Sequence, residues 1–401
     1  MACVNCFFST MNQRKLKLLT FKHDRFENRL KEYKKIYIDE LKTLVPADIC
    51  SCGLTYSASE NYMEFTNNFL SFLKSNILII NEIFDVISKI YGYFITKSYK
   101  HAADLFWNTV NIFDLVGRSE NPITYSNLLF RARKKGGYAL NDYFHVPFDK
   151  RELVVNNRFS IAGQPMLYLG NSLYTVKKEL NMSVDDLSIA AFLPKYSAYY
   201  GLKINDACNN IFNLLTNSLP GLFNAGGKIA FDDKSYVLKI RRSILCELLT
   251  FPCKVKGTFV EEYVLPQLFT SLLIENNYKG LIFPSTKDFS ELTNFHRFSR
   301  YNNNIAFFVD YDEVENYDQR LFESFHLFTL DGSEKFKYTT NDILGKFDSV
   351  TDLHKKHNEH VNNNDFIIPL VNTKLYMEYL ELSKINGIDY FETREGKIEL
   401  E

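Results

Sequence analysis

The sequence predicts an α+β fold, in which an N-terminal α-helical domain precedes a mixed α/β domain and a C-terminal extension. Three observations predict it. Apolar residues recur at helical spacing through the first 120 residues. After Asn121-Pro122, short apolar runs alternate with turn residues, as strands do. Those runs are unevenly spaced, which argues against a regular βαβ alternation.

Within residues 12–46, rich in Lys, Glu, Leu and Tyr, the apolar set Leu16, Leu18, Leu19, Phe26, Leu30, Tyr33, Ile36, Tyr37 and Leu41 recurs at roughly helical spacing. A loop at 53–59 separates this from a second helical stretch, where Phe69, Phe72, Leu73, Ile77, Ile80, Phe84, Ile87 and Tyr91 form another stripe. Both stripes are expected to be bundle core. Strands are expected at 128–133, 166–169, 190–193, 280–283 and 304–309, with helices at 175–180 and 262–277. Beyond Tyr311 come a strand at 325–329, a polar segment at 354–365 and a helix at 373–384. The expected domains are therefore 1–120, 121–310 and 311–401.

Charge and composition exclude several classes. With 401 residues, 47 Lys and Arg nearly cancel 48 Asp and Glu, so there is no strong nucleic-acid signal. At 46% hydrophobic and 24% charged the chain is not largely disordered. Residues 69–87 are the most apolar stretch, but Lys74, Glu82 and Asp85 interrupt it, so a buried helix is expected and no membrane partner. The first twenty residues do not read as a signal peptide, and seven cysteines do not make a disulfide framework. A cytoplasmic, reduced protein is expected.

Cys3-x2-Cys6 and Cys50-x-Cys52 can supply four thiolates to a tetrahedral zinc, or can be small buried thiols; both readings stay open. His354, His357 and His360 cannot face one ion from a helix, because the first and last lie roughly 240° apart. No GxxxxGK[ST] phosphate loop and no HExxH occurs. The richest block is 128–180. There Arg131 and Arg133 alternate on one strand face, Arg158 follows in NNRFSIAGQP, Tyr168 ends a strand, and Glu179 sits on a helix. Downstream, GLIFPST places Ser285 just after a strand. Taken alone, Arg158 fits a surface cation, Tyr168 a core aromatic and Glu179 a solvated helix position.

The blocks FRAR, HVPFDKRELV-x2-NRFSIAGQPMLYLG-x-SLYT-x3-E, EEYVLPQLF, YKGLIFPS and NNNIAFF resemble, in order, the RES family, which shares a fold with diphtheria-type ADP-ribosyltransferases. The resemblance covers roughly residues 125–308, under half the chain. It implies that Arg158, Tyr168, Glu179 and Ser285 are the catalytic set, and that Arg131, Arg158, Tyr168 and Ser285 bind NAD. It implies NAD consumption by cleavage of the nicotinamide N-glycosidic bond, as an NAD phosphorylase or glycohydrolase, in a toxin paired with an antitoxin or other regulatory protein. The N-terminal region resembles the HEPN-like helical domain that precedes some RES domains, with cysteine pairs for structural zinc. Its second pair departs from CxxC, and the Arg-to-His ribonuclease signature of that domain is not found in the helical region. The expected partners are NAD, inorganic phosphate, an antitoxin and further copies of the chain. Two other readings share these residues: ADP-ribose transfer to a macromolecule, and an inactive RES-like binding module.

The residue types suit the implied chemistry. Arginine is a planar donor that can grip pyrophosphate in a bidentate manner, worth about 1.5–3 kcal/mol per charge-assisted bond. A tyrosine ring can stack on cationic nicotinamide for roughly 0.5–2 kcal/mol. Departure of nicotinamide leaves an oxocarbenium-like sugar, whose positive charge a carboxylate stabilises.

Overall fold

The computed structural model describes residues 2–9, 25–50, 60–96, 98–112, 116, 129–182, 186–195, 202–206, 208, 233–253, 257–287 and 303–330. Cys52, the 53–59 loop, the three-histidine segment and the 373–384 helix lie outside them. The helices are α1 Val4–Ser9, α2 Phe26–Lys42, α3 Glu60–Ser75, α4 Ile77–Thr96, α5 Tyr99–Ile112, α6 Leu173–Leu180, α7 Asp233–Leu249, α8 Val264–Glu275 and α9 Gln319–Glu323. The strands are β1 Leu129–Lys134, β2 Met166–Gly170, β3 Leu187–Pro194, β4 Ile204–Asn205, β5 Gly280–Pro284, β6 Asn303–Phe308 and β7 Phe325–Leu330. The fold is α+β, with most helices early and the strands later. No helix among the described residues is long and apolar enough to cross a membrane.

The chain forms two compact units, each assembled from three segments. The first takes Met1–Ser119, Val155–Gln164 and Asn205–Glu291; the second takes Glu120–Val154, Pro165–Ile204 and Leu292–Glu401.

In the first unit, α2 buries Phe26, Leu30, Tyr33, Tyr37 and Leu41 of the predicted stripe, Ile36 is only half-buried, and Leu16, Leu18 and Leu19 lie outside the described residues. Arg29 lies in the same stripe and is fully buried. On α4 the buried face is Ile80, Ile83, Phe84, Ile87, Ile90 and Tyr91. Burying such a side chain contributes about 1.5–3 kcal/mol, so helix packing carries this unit. In α8, Pro266 falls in the first turn, where a missing N–H costs no intrahelical bond. Asn277, with φ 61°, takes the left-handed conformation that stops the chain beyond α8. The sequence pattern did not reveal α7. From Arg242 to Leu249 every residue of it is buried, so no polar face marks the helical period.

In the second unit the strand order is β6-β2-β1-β3-β7, with antiparallel neighbours. Tyr168 pairs with Ala306, Gly170 with both Asn304 and Phe130, and Arg131 with Ala190. Directly paired residues share a face, and alternation assigns the rest. Tyr168, Gly170, Asn304 and Phe130 therefore line one face, while Arg131, Arg133, Phe192, Phe307 and Phe325 line the other. Ring contacts agree: Phe325 meets Phe192 at 5.9 Å and Phe307 at 5.3 Å between centroids. Glycine is required at 170, because a Cβ there would stand 2.9 Å from Val176 Cγ1. That close approach lets β2 turn straight into α6, whose N-cap Ser172 Oγ accepts from the Thr175 N–H at 3.0 Å.

Candidate functional site

Arg158 and Ser285 lie in the first unit. Arg158, only 8% exposed, sits in the short turn closed by the Asn157–Ser160 bridge. Gln267 of α8 braces that turn, donating from Nε2 to the carbonyls of Asn157 at 3.0 Å and Ser160 at 3.2 Å. One guanidinium nitrogen of Arg158 donates to the carbonyls of Phe251 at 2.8 Å and Leu249 at 3.4 Å. The other contacts Cys253 Sγ at 3.4 Å and Thr286 Oγ1 at 3.3 Å. The guanidinium lies 5.3 Å from the centre of the Tyr263 ring. Burial pushes the Cys253 thiol up, against the pull of the nearby Arg158 charge. Ser285 follows β5, is 2% exposed, and its Oγ accepts from the Lys287 N–H at 3.3 Å. Through Thr286, Arg158 and the Ser285 turn thus meet.

Tyr168, Glu179 and Arg131 lie in the second unit. Tyr168 lies mid-strand in β2, not at its end as the sequence suggested, because β2 runs on to Gly170. Its hydroxyl makes a weak contact to Met166 Sδ at 3.8 Å. Glu179, half-buried in the last turn of α6, accepts from Asn304 Nδ2 at 2.7 Å. Asn304 shares the Tyr168 face of the sheet, so β6 ties the carboxylate to that face. Arg131 is on the opposite face and donates to the Phe144 carbonyl at 2.8 Å. Burial, aided by the Arg133 charge, pushes its guanidinium down to about 10, which still leaves it cationic at neutral pH. The structure therefore associates Glu179 with the Tyr168 face and separates Arg131 from both.

His145 anchors the second face. It is buried, its Nε2 accepts from the Asp318 N–H at 2.9 Å, and its Nδ1 lies 2.7 Å from the Val146 carbonyl. A ring accepting at Nε2 and donating at Nδ1 is neutral, and burial holds its pKa below the ordinary 6.5.

Cys3, Cys6 and Cys50 gather in the first unit, with all three sulfurs within 4.8 Å of one another. Cys6 Sγ lies 3.8 Å from Cys3 Sγ and 3.6 Å from Cys50 Sγ. Tetrahedral zinc with bonds of about 2.3 Å separates its sulfurs by roughly 3.8 Å, so the three thiols fit that group. Cys52, the fourth expected ligand, is outside the described residues.

Asn304, Thr286 and Tyr263 were not singled out from sequence. The signal for Asn304 was present in NNNIAFF, where it is the second residue of the buried strand β6. Thr286 and Tyr263 gain meaning only from their contacts to Arg158.

Among curated proteins, the chain is similar to the Bacillus subtilis (strain 168) protein named "Putative toxin YopC", at 28% identity over 194 residues. The match covers 46% of this chain and 42% of that protein, so the chain spans under half of that relative's length. No family model matches the chain, and no solved structure matches it.

Proposed function

We propose that this chain is an NAD-degrading toxin that cleaves the N-glycosidic bond between nicotinamide and ribose. The observation that carries this reading is the 2.7 Å bond from Asn304 to Glu179, which fixes a half-buried carboxylate on the sheet face that carries Tyr168. Support also comes from the RES-like blocks and from the similarity to a protein named as a toxin.

In the proposed reaction the C1′–N bond breaks and its electron pair neutralises the nicotinamide ring. The ribose left behind is oxocarbenium-like, and the Glu179 carboxylate stabilises it. An oxygen of phosphate or water then bonds to C1′, releasing a proton when water is the acceptor. Tyr168 stacks on the departing ring. Arg158 holds pyrophosphate: its short bond to the Phe251 carbonyl keeps it in place, while the longer contacts to Cys253 and Thr286 exchange for phosphate oxygens. Ser285 orients ribose or phosphate. Arg131, committed to the Phe144 carbonyl, contributes through charge and through the frame of β1. An antitoxin is the proposed partner of such a toxin.

Incubation of the protein with NAD, with and without phosphate, tests this reading through the identity of the products. The reading expects free nicotinamide with ADP-ribose or its phosphate ester. A modified macromolecule in place of either sugar product would favour ADP-ribose transfer, and intact NAD would favour a binding module.

We also propose structural zinc at Cys3, Cys6 and Cys50, with Cys52 as fourth ligand, on the strength of the sulfur spacing. Zinc would cross-link the N-terminal turn of α1 to the segment after α2, and chelation should lower the thermal midpoint.

A further inference from the structure

Three of the groups that hold Arg158 are themselves gripped by one helix, α2. The Phe251 carbonyl takes the shortest Arg158 bond, and the Phe251 ring is enclosed by α2. Its centroid lies 5.5 Å from those of both Phe26 and Tyr33, and 5.3 Å from the Arg29 guanidinium. Next in the chain, the Pro252 carbonyl accepts from Arg29. Arg29 also pairs with the buried Glu262, whose neighbour Tyr263 lies against the Arg158 guanidinium. Two residues before Leu249, the other carbonyl acceptor, Glu247 accepts from the Tyr33 hydroxyl. These are buried polar groups, with Arg29 and Glu247 at 0% exposure and Glu262 at 5%. Leaving such groups unpaired is costly, so the pairing fixes the backbone on both sides of Arg158.

We propose that Arg29 and Tyr33 of α2 are positioning residues for Arg158, acting through Phe251, Glu247 and Glu262. This rests on the reading of Arg158 as the pyrophosphate-binding arginine, and it adds that the N-terminal helical region sets how well the chain takes a dinucleotide. Arg29 does not touch the substrate. It donates along two directions at once, to the Glu262 carboxylate and the Pro252 carbonyl, which a single ammonium cannot reproduce in the same geometry.

The decisive variant is therefore Arg29→Lys, which keeps the charge beside Glu262 and loses the fork. KM for NAD should rise about tenfold, with kcat changed by less than about threefold, because a misaligned arginine loses uniform binding. Adding Arg29→Lys to an Arg158→Ala protein should raise KM no further, since the groups act in series. Hydrogen exchange supplies a readout independent of NAD: the backbone amides within 249–253 (Pro252 has none) and 261–263 should exchange about tenfold faster in Arg29→Lys, and Tyr33→Phe should show a smaller increase. An unchanged KM in Arg29→Lys, or an equal rise on the Arg158→Ala background, overturns the proposal. Should the wild-type protein leave NAD intact, the NAD reading falls by itself. The exchange arm then decides the positioning: faster exchange confined to 249–253 and 261–263 supports it, and unaltered exchange there overturns it.

Discussion

Arg158 in the first unit and Glu179 in the second are held in contrasting ways. Arg158 is almost enclosed, its guanidinium directed at two backbone carbonyls, a sulfur and a hydroxyl, and laid against an aromatic ring. Glu179 is half-buried at the end of a short helix and takes a 2.7 Å bond from Asn304. An enclosed cation supports the turn around it as well as any ligand, so its removal mixes stability with binding. A half-open carboxylate can lose its charge with little disturbance of its frame. The two residues therefore call for different experiments.

The largest effect should fall on the support of Arg158. Arg29→Ala leaves Glu262 buried and unpaired, and should cost about 3–5 kcal/mol of unfolding free energy in urea titrations. Glu179→Gln should lower turnover about 100- to 1,000-fold while the thermal midpoint stays within about 2 °C, since shape and the Asn304 contact persist. Equal loss of stability and turnover would erase the contrast between the two sites. Asn304→Ala sharpens it. Loss of this one bond to the carboxylate should lower kcat about 10- to 100-fold by steady-state kinetics, with less effect on KM. Gly170→Ala forces a Cβ against Val176 and should cost about 1–3 kcal/mol by thermal or denaturant unfolding.

Much of the fold was legible because its elements announce themselves locally. The strands around 129–134, 166–170, 187–194, 280–284, 303–308 and 325–330 were all marked by short apolar runs between turn residues. Helix α7 was not, since burial on every side erased its period. Arg29 was equally hidden: amid the Lys and Glu of α2 it reads as a solvated cation, and its partner Glu262 lies 233 residues away. The sheet faces of Arg131 and Tyr168 depended on pairing register, which no single strand encodes. In the site, motifs pointed to Glu179 and Arg158, but Asn304 and Thr286 matter through contacts that form only on folding.

The smallest predicted effect concerns pH. Burial keeps the folded His145 pKa below 6.5, so the unfolded chain takes up the proton first as pH falls. Stability from the neutral ring is fully present above about pH 6.5 and declines below it. The gap in unfolding free energy between wild type and His145→Gln should narrow across that range.

Release of nicotinamide from NAD, compared between the wild-type protein and Glu179→Gln at equal folded concentration, tests the central claim most directly. The account predicts rapid release by the wild type and loss of about two or more orders of magnitude in the variant. Equal release by both proteins, or none by the wild type, would contradict it.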